Sequence, residues 1–551
     1  MRLKFKTLLI AALIGQVATA GCTRYEAVDA YVRARPGVRI RAIAKSDPGS
    51  KATYRVAVIS DEGKLATMPV EATGDEPYIL ELDKWSGEFL KLRFEARGAR
   101  AGWKAIHIDE PWVDEVAAGD ITPDNPPNVV IYLVDALRAD RLGCYNGQVR
   151  TSPGIDAFAR DAALYKRAYS PSSWTRPSVA SVFTGADAPA HGAVGRTGSL
   201  DENMPTLAEL MKEAGYHTAA FVTNGNVAGE FGFARGFDVY HYLPENPGGI
   251  GVYASSDELL DKIQPELEKL DQPFFLYIHQ SDPHAPYTPP RDLARRFTPP
   301  EAEPIPGTMD VFKKLVHRAM VPSPGQVKHL LGLYDAEVAA ADAGFGRFMD
   351  FLRDRGVAEK TLIVFTADHG EEFYLHRGFG HGGTLYEELI RVPLIVRYPG
   401  TRGAQVAGEP VSIADIPATI LGYLGIKTPP TMRGVDLRAI GAKDPSPCIR
   451  ALYFHELLDK VDKEAIIDWP MKLIRNTNKI NQWGDRVLEW ELYDLAADSY
   501  EQHPLGRSRK ITRRVLEEEL RSLSRFNAST TPPSRRKPSS ELKKRLESIG
   551  Y

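Results

Sequence analysis

NVVIYLVDA, residues 128–136, is an unbroken apolar run from Val129 to Val134 closed by Asp135. A continuous, partly β-branched run of this length is what a strand buried on both faces requires. The pattern recurs at HTAAFVTN (217–224), PFFLYIHQ (273–280), TLIVFTAD (361–368) and VPLIVRYPG (392–400). Helical spacing lies between these runs. MPTLAELMKEAG (204–215) is one case, and segment 325–356, with Leu330, Leu333, Val338, Phe345 and Phe348 at helical intervals, is another. Strands alternating with helices predict a layered α/β domain with a mostly parallel sheet. In such sheets the site lies beyond the carboxyl ends of the strands, so the residues that follow each run are the candidates for chemistry.

Working outward, the linker ITPDNPPN (121–128) separates this texture from an earlier one. Residues 25–118 alternate apolar and polar positions at period two, as in TYRVAVIS and LKLRFEAR, with Gly, Pro and Asp clusters between the runs. This predicts a small antiparallel β-sandwich. It reads as a structural cap on the larger domain, the alternative being a carbohydrate-binding module. Residues 1–20 combine a basic start (Arg2, Lys4, Lys6), an apolar run from Leu8 to Ile14 and the small-residue pattern Ala18-Thr19-Ala20, which predicts an export signal. Gly21-Cys22 directly afterwards resembles the end of a bacterial lipobox, which would place a lipid on Cys22; plain cleavage after Ala20 is the alternative. The expected location is the periplasm or outer envelope. The main domain spans 127–505. Residues 506–551 are basic, are broken by a Pro/Ser/Thr stretch, and read as a solvated tail with two short helices.

The 551 residues suffice for several domains, and 43% apolar with 26% charged residues excludes a disordered chain. A net charge of −3 provides no global positive field for nucleic acid. Three cysteines, Cys22, Cys144 and Cys448, make neither a disulfide framework nor a cysteine zinc cage. The histidines are less even. Seven of 13 fall within the stretch 279–381, and five of these, His279, His284, His369, His376 and His381, stand in or beside the motifs around two of the apolar runs.

Asp135, the group His279/Asp282/His284 and the pair Asp368-His369 stand at three strand ends. That concentration of carboxylates and imidazoles exceeds ordinary loop composition. Between the first two strands, SPSSWTRPSVASVFTG (170–185) places Pro177 in the first turn of a helix with Thr175 just before it. A hydroxyl there faces a helix N-terminus, where unpaired N–H groups favour an anion. The plainer alternative is an N-cap.

NVVIYLVDALRAD, TRPSVASVFTG, DPHAPYTPP, TADHGEEF and GFGHGGTLYEELIRVPLIV, in this order, resemble the sulfatase family of the alkaline phosphatase superfamily, as do SIADIPATIL (412–421), ELYDLAADSYE (491–501) and the closing ELKKRLESIGY. The resemblance implies a mixed sheet sandwiched by helices and metal-dependent hydrolysis of sulfate or phosphate esters. It makes Asp135, Asp368 and His369 metal ligands and puts Thr175 at the nucleophile's place, also touching the metal. It implies that His284 and His381 contact the anion or leaving group, and that Asp282 could join them around a second metal. Asn224 stands where an oxyanion contact is expected. The family's Cys/Ser-x-Pro-Ser-Arg is here Thr175-Arg176-Pro177-Ser178-Val179, and its second acidic residue after the first strand is Ala136. Threonine cannot become formylglycine, because its Cβ carries a methyl group. Thr175 is thus expected to attack directly, with Arg176 in place of the missing arginine. An imidazole ligand favours zinc or manganese over calcium or magnesium, with one or two ions. The expected substrate is a small or polymeric anionic ester, with membrane association only through a lipid on Cys22. Two alternatives are a phosphoglycerol- or phosphoethanolamine-type transferase acting on envelope glycans or lipids, and a non-catalytic polysaccharide-binding protein.

Overall fold

The structure, a computed structural model, describes residues 4–9, 18–20, 23–45, 51–71, 76–98, 101–112, 126–243, 255–440, 450–506, 508–527 and 538–548. Asn128–Val134 (β1) is buried at every position, as its apolar run requires. It sits inside a nine-stranded sheet with Ala163–Tyr169 (β2), His217–Val222 (β3), Val239–Tyr242 (β4), Phe274–Gln280 (β5), Thr361–Ala367 (β6), Arg391–Val392 (β7), Leu394–Arg397 (β8) and Gln405–Ser412 (β9). The order is β4-β3-β5-β1-β6-β8-β2-β7, with β9 beside β2. The strands β4, β3, β5, β1 and β6 run parallel. β8, from the run VPLIVRYPG, is antiparallel to both β6 and β2, so the sheet is mixed.

Register decides where the chemistry gathers. Val134 is paired with Gln280 on one side and Ala367 on the other. The residues just past three parallel strands therefore emerge together on one edge. Helices cover both faces, because Tyr132 and Tyr277 occupy alternate pleat positions. Phe183 of Thr175–Thr184 (α1) meets Tyr277 with ring centroids 4.8 Å apart. Phe345 of the long helix meets Tyr132 on the other face at 5.1 Å. In chain order, Ser256–Leu267 is α2 and the long helix, Pro324–Asp354, is α3.

The N-terminal region forms the expected sandwich. One antiparallel sheet runs Ala18–Ala20, Thr23–Arg33, Phe89–Arg97, Thr53–Ser60, Gly63–Val70; the other runs Lys4–Leu9, Gly102–Trp112, Arg39–Lys45, Tyr78–Glu81. Val56, Val58 and Phe94 of the first share a core with Ile40, Leu80 and Ile108 of the second. Lys4–Leu9 and Ala18–Ala20, from the segment read as an export signal, run as edge strands of these sheets, while Cys22 lies outside the described residues.

The sandwich is fastened to a C-terminal antiparallel sheet of Leu452–Leu458 (β10), Val461–Asp468 (β11), Met471–Asn476 (β12) and Trp490–Asp494 (β13). Arg35 reaches Asp468 at 2.8 Å and Glu519 at 2.8 Å. Phe89 packs with Tyr453, Leu473 and Leu516. This last contact corrects the expectation for the basic end of the chain. Lys510–Asn527 (α4) buries Val515, Leu516 and Leu520 in that shared core, because they fall on one helical face. Its arginines pair with glutamates four residues on, Arg513 with Glu517 at 2.7 Å and Arg514 with Glu518 at 2.8 Å. Cys144 is a free thiol and Cys448 lies outside the described residues. No helix among the described residues is long and apolar enough to cross a membrane.

Candidate active site

Asp135 follows β1, Asp368 and His369 follow β6, and Thr175 opens α1; all four are fully buried. His369 Nε2 lies 3.5 Å from Asp135 Oδ1 and 3.5 Å from Asp368 Oδ2. Thr175 Oγ1 is 3.2 Å from the same nitrogen. Thr175 is the first helical residue rather than the N-cap, which is Trp174, so its hydroxyl is not spent on capping. His369 Nδ1 faces the Gly370 carbonyl at 2.9 Å, which keeps the proton on Nδ1 and leaves the Nε2 lone pair toward the cluster.

These atoms fit a cation. Asp135 Oδ1 and Asp368 Oδ2 are buried with no hydrogen-bond donor. Neighbouring ligands of a tetrahedral ion with bonds of about 2.1 Å lie roughly 3.4 Å apart, close to the separations found here. Burial would raise the Asp135 carboxyl, but the His284, His279 and His369 imidazoles hold it below its ordinary value. Burial and the Asp135 charge push Asp368 well above its own. Two buried carboxylates this close call for a counter-cation.

Asn224, just past β3, ties the cluster together. Its Nδ2 donates to Asp135 Oδ2 at 2.7 Å and to Thr175 Oγ1 at 3.3 Å, and its Oδ1 accepts from Asn226 N–H at 2.9 Å. His279, noted at a strand end but given no role by the resemblance, has its Nε2 3.3 Å from Asp135 Oδ2. Its place as the penultimate residue of a parallel strand was the available signal. Ala136, where the family pattern has an acidic residue, adopts a left-handed conformation with φ 57°. Its N–H donates to Asp368 Oδ1 at 3.2 Å, so backbone here meets the carboxylate.

His284 and His381 stand above this floor. Their ring centroids are 5.0 Å apart, and His381 is 4.2 Å from the His369 ring. His284 Nδ1 faces the Ala285 carbonyl at 2.8 Å. His381 Nδ1 faces Glu371 Oε1 at 2.9 Å, and Glu371 also accepts from the Tyr287 hydroxyl at 3.0 Å. Burial lowers both rings; for His381 the Glu371 carboxylate outweighs it and raises the group. Glu371 was missed although it directly follows Asp368-His369-Gly370. Both histidines line a cleft of about 150 Å³ that leads outward between α3's preceding segment and the C-terminal sheet.

Two expected residues are not brought here. The Asp282 carboxylate accepts from Ser256 N–H at 2.8 Å and Ser256 Oγ at 2.6 Å, which places it at the start of α2 rather than with His284 and His381. The second-metal set is therefore not assembled. Arg176 turns away from the cluster: its guanidinium donates to the carbonyls of Arg196 at 2.7 Å and Gly195 at 3.1 Å and to Asn226 Oδ1 at 3.1 Å, and lies 3.6 Å over the Phe231 ring. It braces loops behind α1, so the expectation of an anion contact is corrected. His191 is likewise internal, with Nε2 3.2 Å from Ser181 Oγ, and burial pushes it down to about 3. His376 joins Glu372 and Glu388, but its Nδ1 faces Glu388 Oε1 at 2.7 Å and its Nε2 the Glu501 carbonyl at 3.2 Å. With both nitrogens on acceptors it is a cation, not a ligand. Glu456 had no signal in the sequence. From β10 it accepts from Ser172 Oγ at 2.9 Å, Ser173 Oγ at 2.7 Å and Ser173 N–H at 2.9 Å, holding the loop that leads into Thr175.

A family profile described as Sulfatase matches residues 127–426. The chain belongs to the sulfatase family. Members are metal-dependent hydrolases of ester bonds within the alkaline phosphatase superfamily, and Asp135, Asp368 and His369 form a cluster able to hold a metal ion. A second profile, N-sulphoglucosamine sulphohydrolase, C-terminal, matches residues 376–525 and so takes in most of α4. The uncharacterized sulfatase YidJ of Escherichia coli K12 is 26% identical over 364 residues, covering 58% of this chain and 71% of its own. The N-acetylglucosamine-6-O-sulfatase of Bacteroides thetaiotaomicron is 23% identical over 463 residues, covering 68% and 82%. Among solved structures, a protein in complex with its substrate D-glucosamine-2-N,6-O-disulfate superposes with a TM-score of 0.61 at 22% identity, over 74% of this chain and 99% of that one. The phosphonate monoester hydrolase of Agrobacterium radiobacter superposes at 0.59 and 21% identity, over 75% and 100%. At these identities the superpositions speak for the fold.

Proposed function

We propose that this sulfatase-family chain is an exported, metal-dependent hydrolase of anionic esters, phosphate esters foremost, with Thr175 as the direct nucleophile. The observation that carries the reading is the Thr175 hydroxyl, 3.2 Å from His369 Nε2 and 3.3 Å from Asn224 Nδ2 at the first residue of α1. A threonine has no route to formylglycine, and it is a competent nucleophile once its hydroxyl is activated.

Asp135, Asp368, His369 and Thr175 would hold the ion, zinc or manganese by the mixed oxygen and nitrogen donors. When bound, the metal supplies positive charge that acidifies a hydroxyl and offsets the ester's anionic charge. The rest is done by side chains. The Thr175 oxygen, its proton released to water, bonds to phosphorus as the bond to the alcohol breaks. Asn224 Nδ2 donates to the anion. His381, kept cationic by Glu371, gives its Nε2 proton to the departing oxygen. A water then bonds to phosphorus, His381 takes back one proton, and the Thr175 oxygen leaves, regaining from water the proton it had released, as inorganic phosphate departs. His284, with Nδ1 held by Ala285, presents Nε2 as an acceptor for that water.

The test is a single panel: metal content, then hydrolysis of 4-nitrophenyl sulfate, 4-nitrophenyl phosphate and bis(4-nitrophenyl) phosphate by the wild type and Thr175→Ala. Phosphate ester turnover that disappears in the variant supports the reading. Sulfate hydrolysis that survives Thr175→Ala overturns the nucleophile. The export proposal rests on residues 1–20, and cell fractionation of wild type and Cys22→Ser separates a lipid anchor from plain cleavage.

A further inference from the structure

The cleft above His284 and His381 is about 150 Å³, the volume that holds one six-membered ring. One wall is apolar, formed by Phe312, Val316 and Phe379. The opposite wall is the tip of the β10–β11 hairpin. Leu458 pairs with Val461, which leaves Asp459 and Lys460 as a two-residue turn, and Asp459 takes φ 52°. An L-residue in this conformation persists only where its surroundings hold it.

They do hold it. The Asp459 carboxylate grips Arg196 through Nε at 2.5 Å and Nη2 at 2.5 Å. Gly195 N–H donates to the Leu457 carbonyl at 3.1 Å, and Asn478 Nδ2 donates to the Lys460 carbonyl. The charge consequence is specific. Arg196 is neutralised by Asp459, whereas the Lys460 ammonium, on the cleft wall, has no ion pair among the described residues. Gln482 closes the cleft from the β12–β13 loop, and its Oε1 is buried without a donor. It fits there because residue 383 is glycine; a Cβ at Gly383 would come within 2.3 Å of that oxygen.

We propose that Lys460 selects the alcohol portion of the ester: a single ring that carries a second anionic group and presents it to the Lys460 ammonium. The ring's less polar face would lie against Phe312, Val316 and Phe379. A wall cation that no carboxylate neutralises pairs with such an anion through a charge-assisted hydrogen bond. The proposal rests on the reading of His284 and His381 as the reacting end of the cleft.

Two measurements test it on the full-length, metal-loaded protein. The first compares kcat/KM for 3-carboxy-4-nitrophenyl phosphate with that for 4-nitrophenyl phosphate. Lys460→Gln is expected to lower the ratio at least tenfold, mainly through KM, Lys460→Glu to lower it further, and Lys460→Arg to restore it. An unchanged ratio in Lys460→Gln overturns the subsite. The second is calorimetric binding of glucuronate against glucose, which needs no turnover. The wild type should prefer glucuronate at least tenfold, and Lys460→Gln should lose the preference. A wild type without the preference overturns the subsite even if esters are hydrolysed. The preference retained in a protein that hydrolyses no ester leaves the subsite standing and removes the proposed function.

Discussion

Thr175 Oγ1 lies 3.2 Å from His369 Nε2, the one nitrogen of that ring whose lone pair faces the cluster. Two residues 194 positions apart in the chain meet because α1 starts and β6 ends at the same edge of the sheet. If Thr175 is the nucleophile, the hydroxyl and not the methyl group is what matters. Thr175→Ser should keep activity within about tenfold, whereas Thr175→Ala should lose at least about a thousandfold in kcat. Rapid quenching with substrate followed by mass spectrometry should find the phosphoryl group on Thr175 in the wild type. Its absence together with undiminished turnover in Thr175→Ala would count against the assignment.

Asp135 Oδ1 and Asp368 Oδ2 are buried acceptors without donors, so an ion binding there stabilises the folded chain by mass action. Chelation should lower Tm by about 5 °C or more, and zinc or manganese should restore it. Asp368→Asn should bind less than one ion per chain by elemental analysis and show no thermal response to chelator. A wild type whose Tm ignores both treatments would refute the metal site.

Arg176 separates a structural from an anion-binding reading. Its guanidinium donates to the Gly195 and Arg196 carbonyls, which Arg176→Met would leave without those donors. The expected cost is about 3 kcal/mol or more of stability, read from denaturant unfolding. Inhibition by inorganic phosphate should be no weaker in the folded variant. A large rise in the inhibition constant with unchanged stability would instead place Arg176 at the anion.

His376 makes stability depend on pH. Burial alone would lower the ring, but the Glu388 carboxylate pushes it up to about 9. A raised folded pKa contributes stability that is complete below the unfolded value near 6.5 and is lost as pH rises through about 9. Glu372, pushed up to about 7 by burial and the Glu388 charge, loses its stability between about pH 4.5 and 7, mostly below the histidine's window. The contrast that isolates the histidine is therefore wild type against His376→Gln above pH 7. Unfolding free energies should converge by about pH 10, with a difference of at most about 3 kcal/mol at pH 6.5. Curves that remain parallel across this range would show that His376 is not the titrating group.

Much of the site was legible because local pattern and topology carry it. Asp135, Asn224, Asp368 and His369 each follow a buried strand, and parallel strands must deliver their ends to one edge. His279 was legible in principle by the same rule, as the penultimate residue of β5. Glu456 was not. It sits 283 positions from Ser173, and nothing in TRPSVASVF hints that a carboxylate from another sheet receives the preceding serines.

The amino-acid sequence by itself determined the alternation of buried strands and helices, the N-terminal sandwich, and the set of carboxylates, imidazoles and one hydroxyl at the strand ends. It could do so because apolar periodicity and strand order are local properties. Only the tertiary structure decided which way side chains adjacent to those residues turn. Arg176 follows Thr175 directly yet faces backward to the 195–198 carbonyls, and Asp282 lies two residues from His284 yet serves Ser256. Successive residues on a helix or turn point in different directions, and which direction meets a partner depends on elements far away in the chain. The same reason governs α4: its basic composition suggests solvent, but the spacing of Val515, Leu516 and Leu520 acquires meaning only once Phe89 and the C-terminal sheet supply a surface to cover.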